Sequence, residues 1–598
     1  MLLTGYTGDM RRRNIVLLLT LIILLGAFFR FFRITTVPPG LYPDEAANGN
    51  NALEALSHTN FSAEGGRAFG GKIFYPENNG REGLFINIQA LSLWIFGNQP
   101  WALRLISALF GTLTILGVYL VTKELFYERK LETRSSKFET NSKIQNTNDL
   151  RTDSDPNFRN LNLFRASDFG FRISRGDFIG LLAAFFLATS YWHINFSRIG
   201  FRAISVPLFA SFGAYWLLKA LRTGKQSSAI MGGIATGLGF HTYIAFRFIP
   251  FVFAIPIIGA FVSWIRGRVR DICLPCVIAL YLFVTVIVAI PIGLYFFENP
   301  EDFLGRSGQV SIFSSEKPLY EFAKSTALTF GMLNVRGDCN ARHNFNCQPE
   351  LFWPVGILFL VGFVVMVRSL LKPGSTGAWF LTLWFLVMML PATLTREGLP
   401  HALRAIGMIV PTFVIAGLGG AWLWGAIGSL LDRAAANQTF AQFQTQLLRI
   451  RREIGVIAIL AIALIPVSTY YVYFNQFAEG KDTYGAFSLD LWHEGQFLAS
   501  LPVETQKIVV VNLSGDDIRG VPAPAQTIMF ATNSFGLEER KAKHITYVTS
   551  ADAISFDPTR KVMIVFMNGA DKNMVASVRA RFPDLKPFVP WDFLTLEN

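Results

Sequence analysis

Apolar and polar positions alternate in long blocks. After a short polar start and the triplet Arg11-Arg12-Arg13, residues 14–32 are almost wholly apolar. Comparable runs follow at about 102–126, 177–196, 203–221, 228–246, 248–265, 272–297, 352–371, 377–394, 405–431 and 454–474. A helix of roughly 20 apolar residues crosses the hydrocarbon of a bilayer. The pattern therefore predicts eleven transmembrane helices, two of them meeting in a tight turn at Arg247. The first run is too long for a signal-peptide core and ends in Phe-Phe-Arg-Phe-Phe-Arg, so it reads as a retained helix.

The polar blocks assign the sides. Basic residues concentrate at 11–13, at Lys219, Arg222 and Lys225, at Arg266, Arg268 and Arg270, at Arg368 and Lys372, and at Arg449, Arg451 and Arg452. By the positive-inside rule these face the cytoplasm, with the polar insert 127–176. The N-terminus is then cytoplasmic and the tail extracytoplasmic, in the cytoplasmic (inner) membrane. The outside carries a first loop and interfacial segment (34–101), a second loop (298–351) and the tail (475–598). Within the first, Gly83 to Gly97 is apolar but short, which predicts a helix lying in the interface. The tail has strand-like runs at Lys507–Leu513, His544–Thr549 and Lys561–Met567, so a small α/β domain is expected there. The membrane domain is expected to occupy 1–474.

Composition agrees with this class. Of 598 residues, 51% are hydrophobic and 16% charged, against about 25% charged in soluble proteins. Mean hydropathy is +0.37. The net charge of +12 is scattered through short inter-helix loops, which suits an anionic membrane face and argues against nucleic acid as a partner.

Candidate chemistry gathers on the predicted outer side. The first loop reads Pro38-Pro39-Gly40-Leu41-Tyr42-Pro43-Asp44-Glu45-Ala46-Ala47. Adjacent carboxylates beside a membrane helix are costly unless used; they also suit a helix N-terminus opened by Pro43. Around them stand basic residues that violate the positive-inside trend: Lys72, Arg81, Arg198, Arg202, Arg247, Arg396 and Arg404. Each can snorkel to lipid headgroups. As a set they suit phosphate, which the planar guanidinium grips with paired, charge-assisted hydrogen bonds. A carboxylate base with phosphate-binding cations suggests displacement at a carbon bearing a phosphate leaving group. Further substrate contacts are open for Tyr42, Glu82, Arg396, His241, Tyr243 and His401; for the two histidines and Tyr243, ordinary interfacial packing explains the residue equally well. Cys339 and Cys347, flanking His343, are expected to form a disulfide in an oxidising compartment. The pair Cys273 and Cys276 reads as small apolar core residues.

These residues, with Ala102-Leu103-Arg104-Leu105-Ile106-Ser107 opening the second span, resemble the bacterial members of glycosyltransferase family 39. That family is related to protein O-mannosyltransferases and lipid A aminoarabinose transferases and has the GT-C membrane fold. The resemblance covers roughly 14–475. It implies a polytopic α-helical protein that moves a sugar, a hexose such as mannose or a relative, from a polyprenyl-phosphate carrier to a hydroxyl of a glycan, lipid or protein, with inversion. It implies that the Asp44-Glu45 motif supplies the base. Asp44 is read as that base, Glu45 as a second acid that positions or tunes it, and Arg81, Arg198, Arg202, Arg247 and Arg404 as candidates for the carrier phosphate, Arg404 and Arg202 foremost. The chain departs from the family at Glu77-Asn78-Asn79-Gly80-Arg81-Glu82-Gly83, where many members have His-Pro-Pro. No cofactor is expected. The turn holding Arg198 and Arg202 lacks the acidic pair of metal-dependent oligosaccharyltransferases, so a divalent metal is not expected, although Glu82 or Glu397 could complete an ion site.

Two rivals make different demands. A lipid-linked-glycan flippase or transporter binds near the midplane, often between repeated halves, whereas these charges sit at helix ends and no repeat is visible. An O-antigen ligase or polymerase would place Arg and His sites in a large outer loop and needs no acidic pair after the first helix. A receptor acting through the tail would leave Asp44 and Glu45 dispensable.

Overall fold

The structure is a computed structural model that describes residues 2–57, 60–61, 67–68, 70–127, 174–267, 272–304, 311–372, 375–436, 444–589 and 593–597. Most of the insert 127–176, with Arg268 and Arg270, lies outside the described residues.

The chain is a polytopic α-helical membrane protein. Helix α1 (Leu2–Phe31) leads into α2 (Pro43–Ser57), a hairpin of β1 (Phe74–Tyr75) and β2 (Arg81–Glu82), and α3 (Gly83–Phe96). The bundle continues through α4 (Pro100–Leu125), α5 (Arg175–Ala188), α6 (Tyr191–Phe196), α7 (Ser205–Thr223), α8 (Gln226–Gly239), α9 (Ile249–Ile265) and α10 (Leu274–Glu298). It closes with α11 (Pro318–Gly331), α12 (Trp353–Leu370), α13 (Thr376–Thr393), α14 (Ile409–Ala436) and α15 (Gln444–Tyr470). Among the described residues, nine helices are long and apolar enough to cross a membrane. The two remaining expected spans are shorter than the sequence implied.

Both shortfalls have local causes. The run 177–196 breaks between α5 and α6, where Ser190 caps the second piece by accepting the His193 amide (3.3 Å). The carbonyls freed at the break are met by buried Arg30, which donates to Leu187 and Ala188, and by Thr469, which donates to Thr189 (2.8 Å). The run 228–246 stops at Gly239. This Gly-rich helix is pressed against α10, where a Cβ on Gly233 would stand 2.8 Å from the Tyr281 carbonyl oxygen. Close backbone approach is thus obtained with residues that hold a helix weakly.

The outward faces of α1, α10 and α15 expose Leu21, Phe283 and Leu460, as lipid contact requires. Helix α14 is enclosed by α5 and α12. Helix α3 has 14 residues and exposes Leu91, Trp94, Ile95 and Phe96 at its end.

In the tail, α16 (Leu489–Ser500) precedes a five-stranded mixed sheet. Strand β3 (Gln506–Val510) lies parallel to β6 (Ile545–Val548) and β7 (Val562–Phe566), with Ile508 level with Thr546 and Ile564. The antiparallel strands β9 (Thr595–Glu597) and β8 (Lys586–Phe588) complete the order β8-β9-β7-β3-β6. Between β3 and β6 lie the ribbon β4 (Asp517–Ile518) and β5 (Val521–Pro522) and helix α17 (Gln526–Thr532). Helix α17 docks on α2: Asn50 donates to the Gln526 backbone and side-chain oxygens, and Thr527 to the Leu41 carbonyl. Phe530 joins Leu41, Ala46, Leu103 and Tyr75 in one apolar cluster.

Candidate active site

Helix α2 opens with Pro43, so Asp44 and Glu45 lie in its first turn, where the helix dipole favours negative charge. Consecutive helical residues point about 100° apart, and these two go to different environments. Glu45 is fully buried. Its two oxygens accept from Arg104 Nε and Nη2, each at 3.0 Å, and from the backbone N–H of Gly200 at 2.6 Å and of Tyr42 at 3.4 Å. Arg104 also donates to the carbonyls of Pro38 (2.5 Å) and Gly40 (2.9 Å). The pair thus clamps the loop between α1 and α2 onto α4. Gly40 has φ +61°, and a Cβ there would meet the Phe487 carbonyl at 2.5 Å, so this turn needs glycine.

Asp44 is partly exposed. Its Oδ1 accepts from Asn78 Nδ2 at 2.9 Å, and among the described residues it forms no ion pair. Asn78 belongs to the turn of the β1–β2 hairpin, which also delivers Arg81 and Glu82. Arg81 is buried, donating to Asn48 (2.9 Å), Asn51 (2.5 Å) and the Glu77 carbonyl (3.3 Å). Burial, and after it the charge of Arg202, brings the Arg81 guanidinium down to about 10, while Asp44 acts in the opposite direction.

Glu82 is buried between two cations, accepting from Arg202 Nε at 3.0 Å and Arg247 Nη2 at 3.4 Å. Arg202 also donates to the Gly80 carbonyl and lies over the Tyr243 ring at 5.3 Å. Arg247 donates to the Phe303 carbonyl and stacks on Phe296 and Phe303. Tyr243 also feels the charge of Arg404, which reaches Thr395 Oγ1 (2.8 Å) and the Glu397 carbonyl (2.9 Å). His401 sits in the same turn. Burial, then His343, Arg404 and Arg342, push its imidazole well below the ordinary range, so it stays neutral near pH 7. Arg342 closes the ring, lying 3.8 Å over Tyr42.

Asp44, Tyr42, Arg81, Glu82, Arg202, Tyr243, Arg247, His401 and Arg404 are therefore joined by contact or by charge in one cluster on the tail side of the bundle. Other expected residues are not so placed. Arg198 is fully buried and holds the carbonyls of Phe29 (2.9 Å) and Val37 (2.8 Å), with its guanidinium against Tyr473 and Phe474. It ties the end of α1 to the bundle. His241 spends Nε2 on the Val288 carbonyl in α10 (2.8 Å), and Arg396 is exposed. Cys339 and Cys347 are bonded to each other. Cys273 and Cys276 are also bonded; standing one turn apart and exposed at the start of α10, they are not the buried apolar residues expected.

Three contributors had no assigned role in the sequence. Arg104 was legible in principle, because an Arg within an apolar helix needs an anionic or carbonyl partner. Arg342 and Asp338 lie in a polar loop where nothing in the pattern singles them out. Asp338 accepts from His343 Nδ1 (2.7 Å) and the Ala402 N–H (2.9 Å), which joins the second loop to the His401 turn.

The architecture is a polytopic helical membrane domain with a mixed-sheet tail domain, its polar cluster where loop, hairpin and tail meet. No protein-family model matches the chain, and no curated protein matches it by sequence. Among solved structures it is similar to ArnT from Cupriavidus metallidurans bound to undecaprenyl phosphate, with TM-score 0.52 and 13% identity over 97% of both chains. The apo state of that ArnT matches with TM-score 0.51 and 12% identity, over 100% of this chain and 98% of the other.

Proposed function

We propose that the protein is a glycosyltransferase that takes a sugar from a polyprenyl-phosphate carrier and transfers it to an acceptor hydroxyl on the outer face of the cytoplasmic membrane. The observation that carries this reading is the division of labour between neighbouring carboxylates. Glu45 is consumed by Arg104, whereas Asp44 keeps, among the described residues, a single amide partner beside a cluster of arginines. The likeness to the fold of an ArnT bound to undecaprenyl phosphate supports the carrier class.

In this reaction Asp44 accepts the proton of the acceptor hydroxyl as its oxygen attacks the anomeric carbon. The bond from that carbon to the phosphate oxygen breaks, its electron pair leaves with the carrier phosphate, and configuration inverts. Arg404, Arg202 and Arg247 stabilise the negative charge that gathers on the departing phosphate. Arg81 and Asn78 act through the hairpin, shaping the pocket around Asp44. Glu45 and Arg198 position the loop and α1.

The test is transfer of labelled sugar from a polyprenyl-phosphate donor in nanodiscs. Asp44→Asn keeps the shape and removes the proton acceptor, so turnover falls by about 10²–10⁴-fold with donor binding retained. Near-normal turnover would remove the base and the reaction with it. The reading also fixes the sides: a reporter fused after Asn598 is active only outside the cytoplasm, and cytoplasmic activity would overturn the orientation.

A further inference from the structure

We infer that Asp338, His343 and His401 form a binding site for a divalent transition-metal ion of the Zn²⁺ class, open on one side to a phosphate oxygen. The metal half stands on geometry alone; the phosphate half rests on the function proposed above.

The three side chains each offer one ligand atom, all within 4.8 Å of one another. Zinc bonds of about 2.0–2.2 Å place tetrahedral ligand atoms roughly 3–3.5 Å apart, so side-chain rotations of about an ångström bring these atoms onto one ion. Two imidazoles and one carboxylate suit zinc better than magnesium or calcium, which favour all-oxygen shells. Three protein ligands with a fourth position left over is the arrangement of a zinc site that receives a small ligand.

The surroundings hold the donors in place. Asp338 accepts the Asn340 N–H at Oδ1 (2.8 Å) and the Ala402 N–H at Oδ2 (2.9 Å), so it bridges both segments that bear the histidines. The Asn195 amide holds the carbonyls of Arg342 (2.6 Å) and His343 (2.9 Å) against α6. The Cys339–Cys347 bond closes the loop that carries His343. The His343 and His401 rings lie 4.9 Å apart, and Asp338 and His343 are buried. Such second-shell support is what a ligating carboxylate and imidazole require.

The neighbouring charge defines the missing ligand. Arg342 directly precedes His343, and the Arg404 N–H donates to His401 Nδ1 at 3.4 Å, so each histidine-bearing segment also carries a guanidinium. A bare cation here is repelled by both, and an anion bridging the ion and the guanidiniums removes that repulsion. Metal and phosphate then bind with positive coupling, each tightening the other by the same factor.

The experiment uses the full chain, untagged, in nanodiscs after treatment with a chelator. Bound Zn²⁺ per chain is measured by atomic emission and by titration, with and without a polyprenyl phosphate. The wild type is expected to bind one equivalent, more tightly in the presence of the lipid phosphate. His401→Gln and His343→Gln are expected to weaken Zn²⁺ by at least about 100-fold; His401→Gln keeps the metal-free unfolding midpoint, whereas His343→Gln also loses the 2.7 Å contact to Asp338 and is read at a temperature where it stays folded. Equal Zn²⁺ binding by wild type and both variants overturns the site. Stoichiometric zinc with an affinity indifferent to the lipid phosphate overturns the phosphate half and leaves the metal. Failure of the lipid phosphate to bind at all, with zinc bound normally, counts against the proposed function instead.

Discussion

Asp44 and Glu45 are neighbours of the same chemical type, and their environments predict opposite phenotypes. Glu45 is completely buried, and its pair with Arg104 is made through two contacts of 3.0 Å. At that distance unit charges attract by about 5 kcal/mol for an effective dielectric constant near 20. Part of this offsets the desolvation of both groups, but removing one partner strands the other in a dry site, which costs about 3–5 kcal/mol. In Glu45→Ala, Arg104 keeps the Pro38 and Gly40 carbonyls, while the Gly200 N–H loses its acceptor for roughly 1–3 kcal/mol more. Asp44 is partly exposed and gives up one neutral amide contact, so Asp44→Asn costs about 1 kcal/mol or less. The expected result is a crossed pattern. Glu45→Gln and Glu45→Ala lower the unfolding midpoint in detergent by several degrees and keep measurable transfer at a temperature where they remain folded. Asp44→Asn unfolds with the wild type and loses about 10²–10⁴-fold in turnover. The assay pairs thermal unfolding with initial rates of sugar transfer on the same preparations. A Glu45→Gln protein with the wild-type midpoint and no transfer would refute the reasoning and place Glu45 at the reacting atoms.

Three further outcomes are expected. Arg404→Ala weakens donor binding by about 10–100-fold, as loss of a charge-assisted contact does, and Lys restores only part because it lacks the planar fork; unaltered donor affinity would exclude Arg404 from the phosphate site. Arg519 makes paired 2.9 Å contacts with Glu54 and contacts of 2.7 and 3.1 Å with Glu77 in the hairpin turn, so Arg519→Ala is expected to lower turnover several-fold with protein yield preserved and Lys restoring part; unchanged turnover would make the tail's grip on the hairpin irrelevant to the site. In the tail, burial and then Asp490 push the Glu494 carboxyl up to about 9 from its ordinary 4.5. Glu494 therefore stays protonated when folded and ionises when unfolded, so its contribution is fully present below pH 4.5 and is lost as pH rises towards 9. Glu494→Gln should remove that loss and stabilise the tail by up to about 3 kcal/mol at pH 7, read as the unfolding midpoint against pH.

The helices were legible because the bilayer imposes a crude rule, about 20 apolar residues per crossing, that survives without any knowledge of contacts. What the rule misses is internal discontinuity. The run 177–196 carries only Thr189 and Ser190 at its break, too little to interrupt an apolar pattern; Ser190 caps a new helix, and Arg30 and Thr469 meet the loose carbonyls. The carboxylate pair was visible as chemistry, but its division was not, because Arg104 stands 59 residues away and reaches Glu45 only after folding. The tail strands at 506–510, 545–548 and 562–566 were visible as β-branched runs, whereas the two short C-terminal strands that finish the sheet were not.

The arginines show why a count of cations at helix ends overstates a phosphate site. Arg30, Arg104 and Arg198 are all buried, and each donates to backbone carbonyls at the junction of α1, α4 and α6. They fix the frame. Arg202 and Arg247 face the cluster but share Glu82, so together with it they carry one net positive charge. In the proposed reaction that arrangement has a chemical use. A fully unopposed pair would hold a phosphate tightly before and after transfer, and uniform binding of that kind does not speed the chemical step. With Glu82 between them, the guanidiniums are already aligned by hydrogen bonds, and their attraction grows as negative charge accumulates on a leaving phosphate. Glu82→Gln separates the two demands: it should strengthen donor binding and slow release of the carrier. Weaker donor binding in that variant would show that Glu82 serves chiefly to aim the two arginines.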